Sequence, residues 1–315
     1  MKKSCYFCNT KSVKKFGKTK QGRQRFRCLK CLRTYVWRSP RNKISNEQKW
    51  FIDWVREGYS IRQLSKLSGY GAKKIKRIKS HWLKQEPPAI YSKHRAAKYL
   101  IFDGTYFKKK YCLIVFMNNE DGKTIGCLYL DKENYKNALN LALDLKAKGL
   151  NPQAITLDGH QSVIRALKEV WPEVKIQRCL YHMQRQGLMW LRRRPRTQVG
   201  IELRQLVSQI AKLNTLKDKE VFTKAFIAIL RRNSAEINSI NSDCIGIGDT
   251  KKIITLITNA YADMWHFLED KKIPKTTNKI EGYFGELKQK YVRHKGMWGK
   301  SREQYLKWYC YFRNN

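Results

Sequence analysis

Residues 99–105 read Tyr99-Leu100-Ile101-Phe102-Asp103-Gly104-Thr105, four apolar residues that run straight into an acid and a glycine. So short an apolar run, closed by a turn signal, predicts a buried strand whose end presents Asp103. Tyr111–Met117 reads as a second strand, 118–123 as a polar turn and Thr124–Leu130 as a third strand. Asn134–Lys148 has helical spacing, with Ala138, Leu141, Ala142 and Leu145 inward and Gly149 as the stop. Gln153–Leu157 is a fourth strand and runs into Asp158-Gly159-His160. A helix over Ser162–Trp171 and a fifth strand over Val174–Gln177 follow.

Strands joined by short turns pair antiparallel, whereas strands that return through helices pair parallel. The order of three strands, helix, strand, helix, strand predicts an α/β domain of the ribonuclease-H-like kind. In that fold the first and fourth strands are neighbours, so Asp103 and Asp158 converge. One aspartate at a strand end is ordinarily a turn former. Two that converge repel each other and resist ionising unless a cation lies between them. Two magnesium or manganese ions, about 3.5–4 Å apart, suit in-line displacement at phosphorus.

A third carboxylate must come from further on. Residues 183–267 read as a helical insertion, with Leu203-Leu206-Val207-Ile210 and Phe222-Phe226-Ile229-Leu230 as apolar faces. Its Arg192-Arg193-Arg194 and Arg231-Arg232 read as a second DNA surface or as a solvated helix face. After Pro274 a helix capped near Thr276 or Thr277 carries Ile280, Phe284, Leu287 and Tyr291 on its core face. Glu281 borders that face, with Asn278 a turn earlier. Glu286 is the competing acid and lies further towards solvent.

Upstream, Cys5-x-x-Cys8 and Cys28-x-x-Cys31 stand nineteen residues apart. Two such pairs make a tetrahedral sulfur shell for zinc, so residues 1–40 are expected to be a zinc ribbon with a hairpin over Lys11–Arg27. Its cations, Arg23 and Arg25 among them, are placed to touch phosphate or a protein. Residues 41–86 read as a helix-turn-helix or a plain three-helix bundle. Ser45 with Gln48 opens the first helix (Phe51, Trp54 and Val55 inward), and Gly58 ends it. Ser60 caps a second helix carrying Ile61, Leu64 and Leu67. A third helix, Ala72–Leu83, sets Ile75, Ile78 and Trp82 against a basic face of Lys73, Lys74, Lys76, Arg77 and Lys79. Gln85–Tyr91 reads as a linker. The ribonuclease-H-like domain is assigned to 95–182 and 268–315.

The chain has 315 residues, and 66 Lys and Arg against 25 Asp and Glu give it a net charge of +41. That balance fits a polyanion partner, and the cations are spread from Lys2 to Arg313. The longest clean apolar run, Cys112–Met117, is too short to span a bilayer, and no signal core follows Met1. A cytoplasmic, nucleoid-associated bacterial protein with no membrane partner is expected. Cys112, Cys127, Cys244 and Cys310 read as small buried apolar residues.

Four motifs in order carry a resemblance: Asp103-Gly104-Thr105, Leu157-Asp158-Gly159-His160, Arg178-Cys179-Leu180-Tyr181-His182 and Thr277-Asn278-Lys279-Ile280-Glu281-Gly282. Over roughly 99–291 the chain resembles the Mutator-like transposases and related bacterial insertion-sequence transposases. The resemblance implies that Asp103, Asp158 and Glu281 form a DDE triad, with the family's Cys-x-x-His motif on Cys179 and His182. Those two read as a structural pair beside the active site or as DNA contacts, in preference to a zinc site. His160 reads as a phosphate contact or a helix cap. The implied activity is binding of double-stranded DNA at element ends, hydrolysis to free a 3′-hydroxyl and joining to target DNA, by a homodimer or higher oligomer. A DNA-binding regulator derived from such an enzyme, and a ribonuclease-H-like nuclease without strand transfer, are the alternatives.

Overall fold

A computed structural model describes residues 4–5, 7–8, 10–36, 40–88, 96–107, 110–239, 247–294 and 296–314, the side chains of 40–46, 239 and 247 excepted. Cys244 and the end of the expected linker lie outside the described residues. The chain divides into two units, Met1–Trp82 and Leu83–Asn315.

The first unit opens with three antiparallel strands, β1 (Val13–Lys18), β2 (Gln24–Cys28) and β3 (Thr34–Val36). The expected hairpin is present, with Gly22 at φ 75° in its turn, and β3 adds a strand beyond it. Its core is small: Cys5, Phe26, Cys28 and Tyr35. Helices α1 (Pro40–Arg56), α2 (Ile61–Ser68) and α3 (Ala72–Trp82) follow. Helix α1 starts at Pro40, not at Ser45. A proline is well placed at a first helical position because its φ is preset and its missing N–H has no helical partner there. Ser60 and Gln63 form a reciprocal capping box at the start of α2, and Gly69 ends that helix at φ 67°. Phe51, Trp54, Leu64, Ile75 and Ile78 are buried, whereas Leu67 is 60% exposed and outside the core.

The second unit is built on a five-stranded mixed sheet in the order β6-β5-β4-β7-β8. Strands β4 (Tyr99–Phe107), β5 (Tyr111–Asn118) and β6 (Thr124–Leu130) pair antiparallel, and β7 (Ala154–Leu157) and β8 (Lys175–Arg178) join in parallel. Strand order and direction are those expected, but β4 runs four residues past Asp103. Its antiparallel partner continues, with Asp103 opposite Val115 and Phe107 opposite Tyr111. Only the parallel neighbour stops, so Asp103 lies where one side of β4 becomes free.

Helices α4 (Tyr135–Ala147) and α5 (Gln161–Val170) cover one face of the sheet. Leu100, Phe102, Ile155 and Leu157 share a core with Ala138, Leu141, Val163 and Leu167. Side chains alternate along a strand, so Ile101, Asp103, Thr156 and Asp158 face the other way. A second core joins Tyr99 and Ala154 to α6 (Leu180–Leu191), α7 (Gln198–Val207), α8 (Leu216–Arg232) and α10 (Ile247–Ala260). The short helices α9 (Ser234–Ser239) and α11 (His266–Glu269) complete this helical segment. Helix α12 (Asn278–Val292) packs against β4, and α13 (Gly299–Asn314) packs against β6.

Candidate active site and cysteine cluster

The sheet register aligns the two aspartates. Ile101 pairs with Thr156 across parallel β4 and β7, so Asp103 and Asp158 each lie two residues further along these neighbouring segments. Neighbouring strands run about 4.8 Å apart, which sets both carboxylates side by side on the face away from α4 and α5. The amide of Gly104 donates to Asp103 Oδ1 at 2.8 Å, and the amide of His160 donates to Asp158 Oδ1 at 3.1 Å.

Helix α12 brings in Glu281. The chain leading to it is fixed on the same face, since Thr156 donates to the Pro274 carbonyl at 2.7 Å and the Leu180 amide donates to the Lys275 carbonyl at 3.0 Å. Thr277 occupies the N-cap position of α12, but its hydroxyl makes no cap bond. It lies 3.0 Å from Glu281 Oε1, 3.3 Å from His182 Nδ1 and 3.3 Å from Cys179 Sγ, which also accepts the Thr277 amide at 3.3 Å. A hydroxyl has one proton to give, and a carboxylate can only accept. The consistent chain runs from His182 Nδ1–H to Thr277 and from Thr277 O–H to Glu281, while the Thr277 amide satisfies the buried sulfur. His182 Nε2 also stands 3.7 Å from Glu281. Cys179 and His182 therefore hold the start of α12. Glu286, the competing acid, pairs with Lys290 at 3.0 Å and Arg313 at 2.9 Å.

Burial, followed by the charges of Asp158 and Glu281, pushes the Asp103 carboxyl up to about 7, against the opposing pull of the Gly104 amide and His182. Contact with Cys179, and the charges of Cys179, Asp103 and Glu281, outweigh burial and push His182 up to about 9. Burial alone would raise the Cys179 thiol, but its hydrogen bonds to His182 and Thr277 bring it down.

A fourth carboxylate escaped the sequence reading. Glu133 lies in the loop between β6 and α4, and burial with the charges of Asp158 and Asp103 pushes it up to about 8. Its Oε2 fills the space that a Cβ on Gly104 would need. Likewise, the Arg178 guanidinium fills the space beside Gly159. The glycine after each aspartate thus admits a charged side chain against the backbone. Just before helix-capping Asn134, Glu133 looks in sequence like any loop acid.

Other expected residues are placed as follows. His160 is the N-cap residue of α5 with no side-chain cap bond, and its Nδ1 instead meets Ser162 Oγ at 2.9 Å. Asn278 is exposed at the start of α12. Lys73, Lys76 and Arg77 are exposed on α3. Lys74 lies over the Tyr70 ring and 3.8 Å from Glu47, and Lys79 lies over Trp54. Arg23 is exposed, while Arg25 donates to Thr34 at 3.2 Å. Cys112 and Cys310 are buried, and Cys127 is half-buried.

The sulfurs of Cys5, Cys8, Cys28 and Cys31 all lie within 4.8 Å of one another, with Cys5–Cys31 at 3.7 Å and Cys8–Cys28 at 3.5 Å. A tetrahedron with zinc–sulfur bonds of about 2.3 Å has edges of about 3.8 Å, so the set fits that ion. Burial raises the Cys28 thiol, but the amides of Cys31 and Lys30 and the neighbouring thiols more than offset this and lower it to about 6. At Cys8 the pull of the Thr10 amide is overcome by burial and by bonds to Cys28, Cys5 and Cys31, which push that thiol up to about 11, so the sulfurs share protons that a metal would displace. Among the described residues this is the one group of three or more His, Cys, Asp or Glu drawn so tightly together. Asp103, Asp158 and Glu281 are not drawn together so tightly, although the charges of Asp158 and Glu281 reach Asp103. No helix among the described residues is long and apolar enough to cross a membrane.

The family model described as Transposase, Mutator family, matches residues 54–297. The transposase for insertion sequence element IS6120 of Mycolicibacterium smegmatis is 25% identical over 234 residues, which cover 70% of this chain and 67% of that one. Among solved structures, a chain in the cryo-EM structure of the simian T-cell lymphotropic virus intasome in complex with PP2A regulatory subunit B56 gamma is matched over 53% of this chain and 70% of its own. The identity is 15% and the TM-score 0.22, too slight a likeness to inform the fold.

Proposed function

The chain belongs to the Mutator family of transposases, and from that premise we propose that Asp103, Asp158 and Glu281 are the acids with which it cleaves and joins DNA. The second unit is read as a ribonuclease-H-like catalytic domain with a helical insertion, and the first as a zinc ribbon followed by a helix-turn-helix. The supporting observation is the meeting of charges at Asp103. Asp158, from a neighbouring strand, and Glu281, from a helix 178 residues later in the chain, both raise it.

A carboxyl held neutral up to about pH 7 beside two other acids is a donor set short of positive charge. Magnesium or manganese held by these three residues would supply that charge, offset the scissile phosphate and lower the pKa of an attacking water or 3′-hydroxyl. The protein's own part is positional. The parallel register holds the two aspartates on one face, and Thr277 and His182 hold Glu281 over them. Zinc on the four cysteines would fold a module whose core is too small to fold alone. The exposed Lys73, Lys76 and Arg77 of α3 would grip the element ends, mainly through phosphate. Two ends must be joined to one target, so a homodimer or higher oligomer working on the bacterial nucleoid in the cytoplasm is the fitting assembly.

The test is a plasmid carrying the element's ends, incubated with protein and magnesium. Asp103→Asn and Asp158→Asn should each abolish cleavage and joined product while end binding persists. Retained cleavage in either variant would refute the assignment. Cleavage by the parent chain with no joined product would leave a nuclease.

A further inference from the structure

Beside Asp158 the second unit holds a cavity of about 410 Å³. Gly159, Arg178, Trp190, Lys251, Lys252 and Asn259 are among the residues lining it. Four parts of the fold meet there: the turn from β7 into α5, the end of β8, the end of α6 and one face of α10, where 248, 251, 252, 255 and 259 recur at helical spacing. No acid lines it. Asp158 and Asp263 bear on Arg178 from nearby, and Asp249 pairs with Lys252 at 3.1 Å.

Arg178 distinguishes this cavity from an ordinary surface dent. It is 3% exposed, and its Nε has no hydrogen-bond partner. A buried guanidinium donor without an acceptor is costly, and a bound anion would satisfy it. Gly159 leaves room for that guanidinium beside the strand end that carries Asp158. Trp190, partly buried against the helical core, adds an aromatic wall. Cation and aromatic together suit a phosphate with a base attached, and aromatic side chains accept any base by stacking. A volume near the lower end of the small-ligand range of about 300–1,000 Å³ admits one nucleotide and excludes a stacked pair.

We propose that this cavity holds a single unstacked nucleotide of the DNA substrate, its phosphate on Arg178 and Lys251 and its base against Trp190. This rests on the reading of the chain as a DNA-processing enzyme and adds a subsite next to its acids. A nucleotide seated there would fix the strand relative to Asp158, and drawing one base out of the stack would bend the backbone at the reacting bond.

The full chain is titrated with deoxyadenosine 5′-monophosphate, with deoxyadenosine and with inorganic phosphate, at a salt concentration that screens exposed cations. The mononucleotide should bind about tenfold or more tightly than either part alone, as expected when stacking and phosphate contact act together. Trp190→Ala should weaken mononucleotide binding by about tenfold. Lys251→Gln, an exposed change that spares the core, should weaken the mononucleotide and phosphate alike. Phosphate binding as tightly as the mononucleotide would reduce the cavity to an anion site and overturn the proposal. Unchanged mononucleotide binding in both variants would do so too. Asp103→Asn should bind the mononucleotide normally. If the parent chain binds the mononucleotide yet cleaves no DNA in magnesium, only the catalytic reading is refuted, and if it cleaves DNA without binding the mononucleotide, only this subsite is.

Discussion

His182 Nε2 stands 3.7 Å from Glu281, and Thr277 joins the same two residues through its hydroxyl. The acid on α12 is thus held by a side chain from α6, which begins directly after β8 of the five-stranded sheet. If this hold sets the position of Glu281, Thr277→Val should slow DNA cleavage by about ten- to a hundredfold, the worth of a hydrogen bond to a charged group. DNA affinity should stay unchanged, and Thr277→Ser should restore most of the rate. Single-turnover cleavage rates measured beside end binding decide it.

The pH dependence follows from Asp103 near 7, Glu133 near 8 and His182 near 9. All three lie above their ordinary values, so the stability they contribute is full below those ordinary values and is lost as pH rises through the shifted ones. Metal-free protein should therefore lose thermal stability between about pH 4 and 9. Asp103→Asn should flatten the part of that fall between about pH 4 and 7. Manganese must compete with protons for the same carboxyls, so its stabilising effect should grow from pH 6 to 8. Melting curves across pH, with and without manganese, test both halves.

Glu133 and Gly104 should be energetically coupled. Gly104→Ala forces a methyl into the space of the Glu133 carboxylate and close to Cys112. The cost should be about 1–3 kcal/mol. In the Glu133→Ala background the same change should cost clearly less, because only the Cys112 contact remains. A double-mutant cycle by denaturant unfolding reads the coupling.

Chelation should act on the first unit alone. Removing zinc, or replacing Cys28 by Ser, should melt the module over β1–β3 and weaken end binding, while the second unit keeps its own thermal transition. Loss of both transitions together would show that the four-cysteine cluster is not an independent metal-folded module.

Much of this was legible because burial and periodicity are local signals. The five strands, their directions and the pairing of β4 with β7 follow from apolar runs and the helices between them. The cysteine cluster follows from spacing. What escaped depends on tertiary neighbours. Asp103 lies inside β4 because the hairpin partner continues to Tyr111, a length that alternation does not fix. Helix α1 begins at Pro40 because a proline permits a start five residues ahead of the capping pattern at Ser45. Leu67 fits the apolar stripe by spacing yet faces solvent. Glu133 is a loop acid until the fold carries it to Gly104, and Arg178 is one cation among 66 until the sheet buries it.

Three acids far apart in the chain, on the proposed function, share one metal-binding locus. Ferrous iron in place of magnesium, with ascorbate, generates radicals that cut the polypeptide beside the bound ion. Cuts should cluster near Asp103, Asp158 and Glu281 together, be suppressed by excess magnesium and be lost in Asp103→Asn. Cuts beside one of the three alone, or a pattern unchanged by Asp103→Asn, would contradict a shared locus.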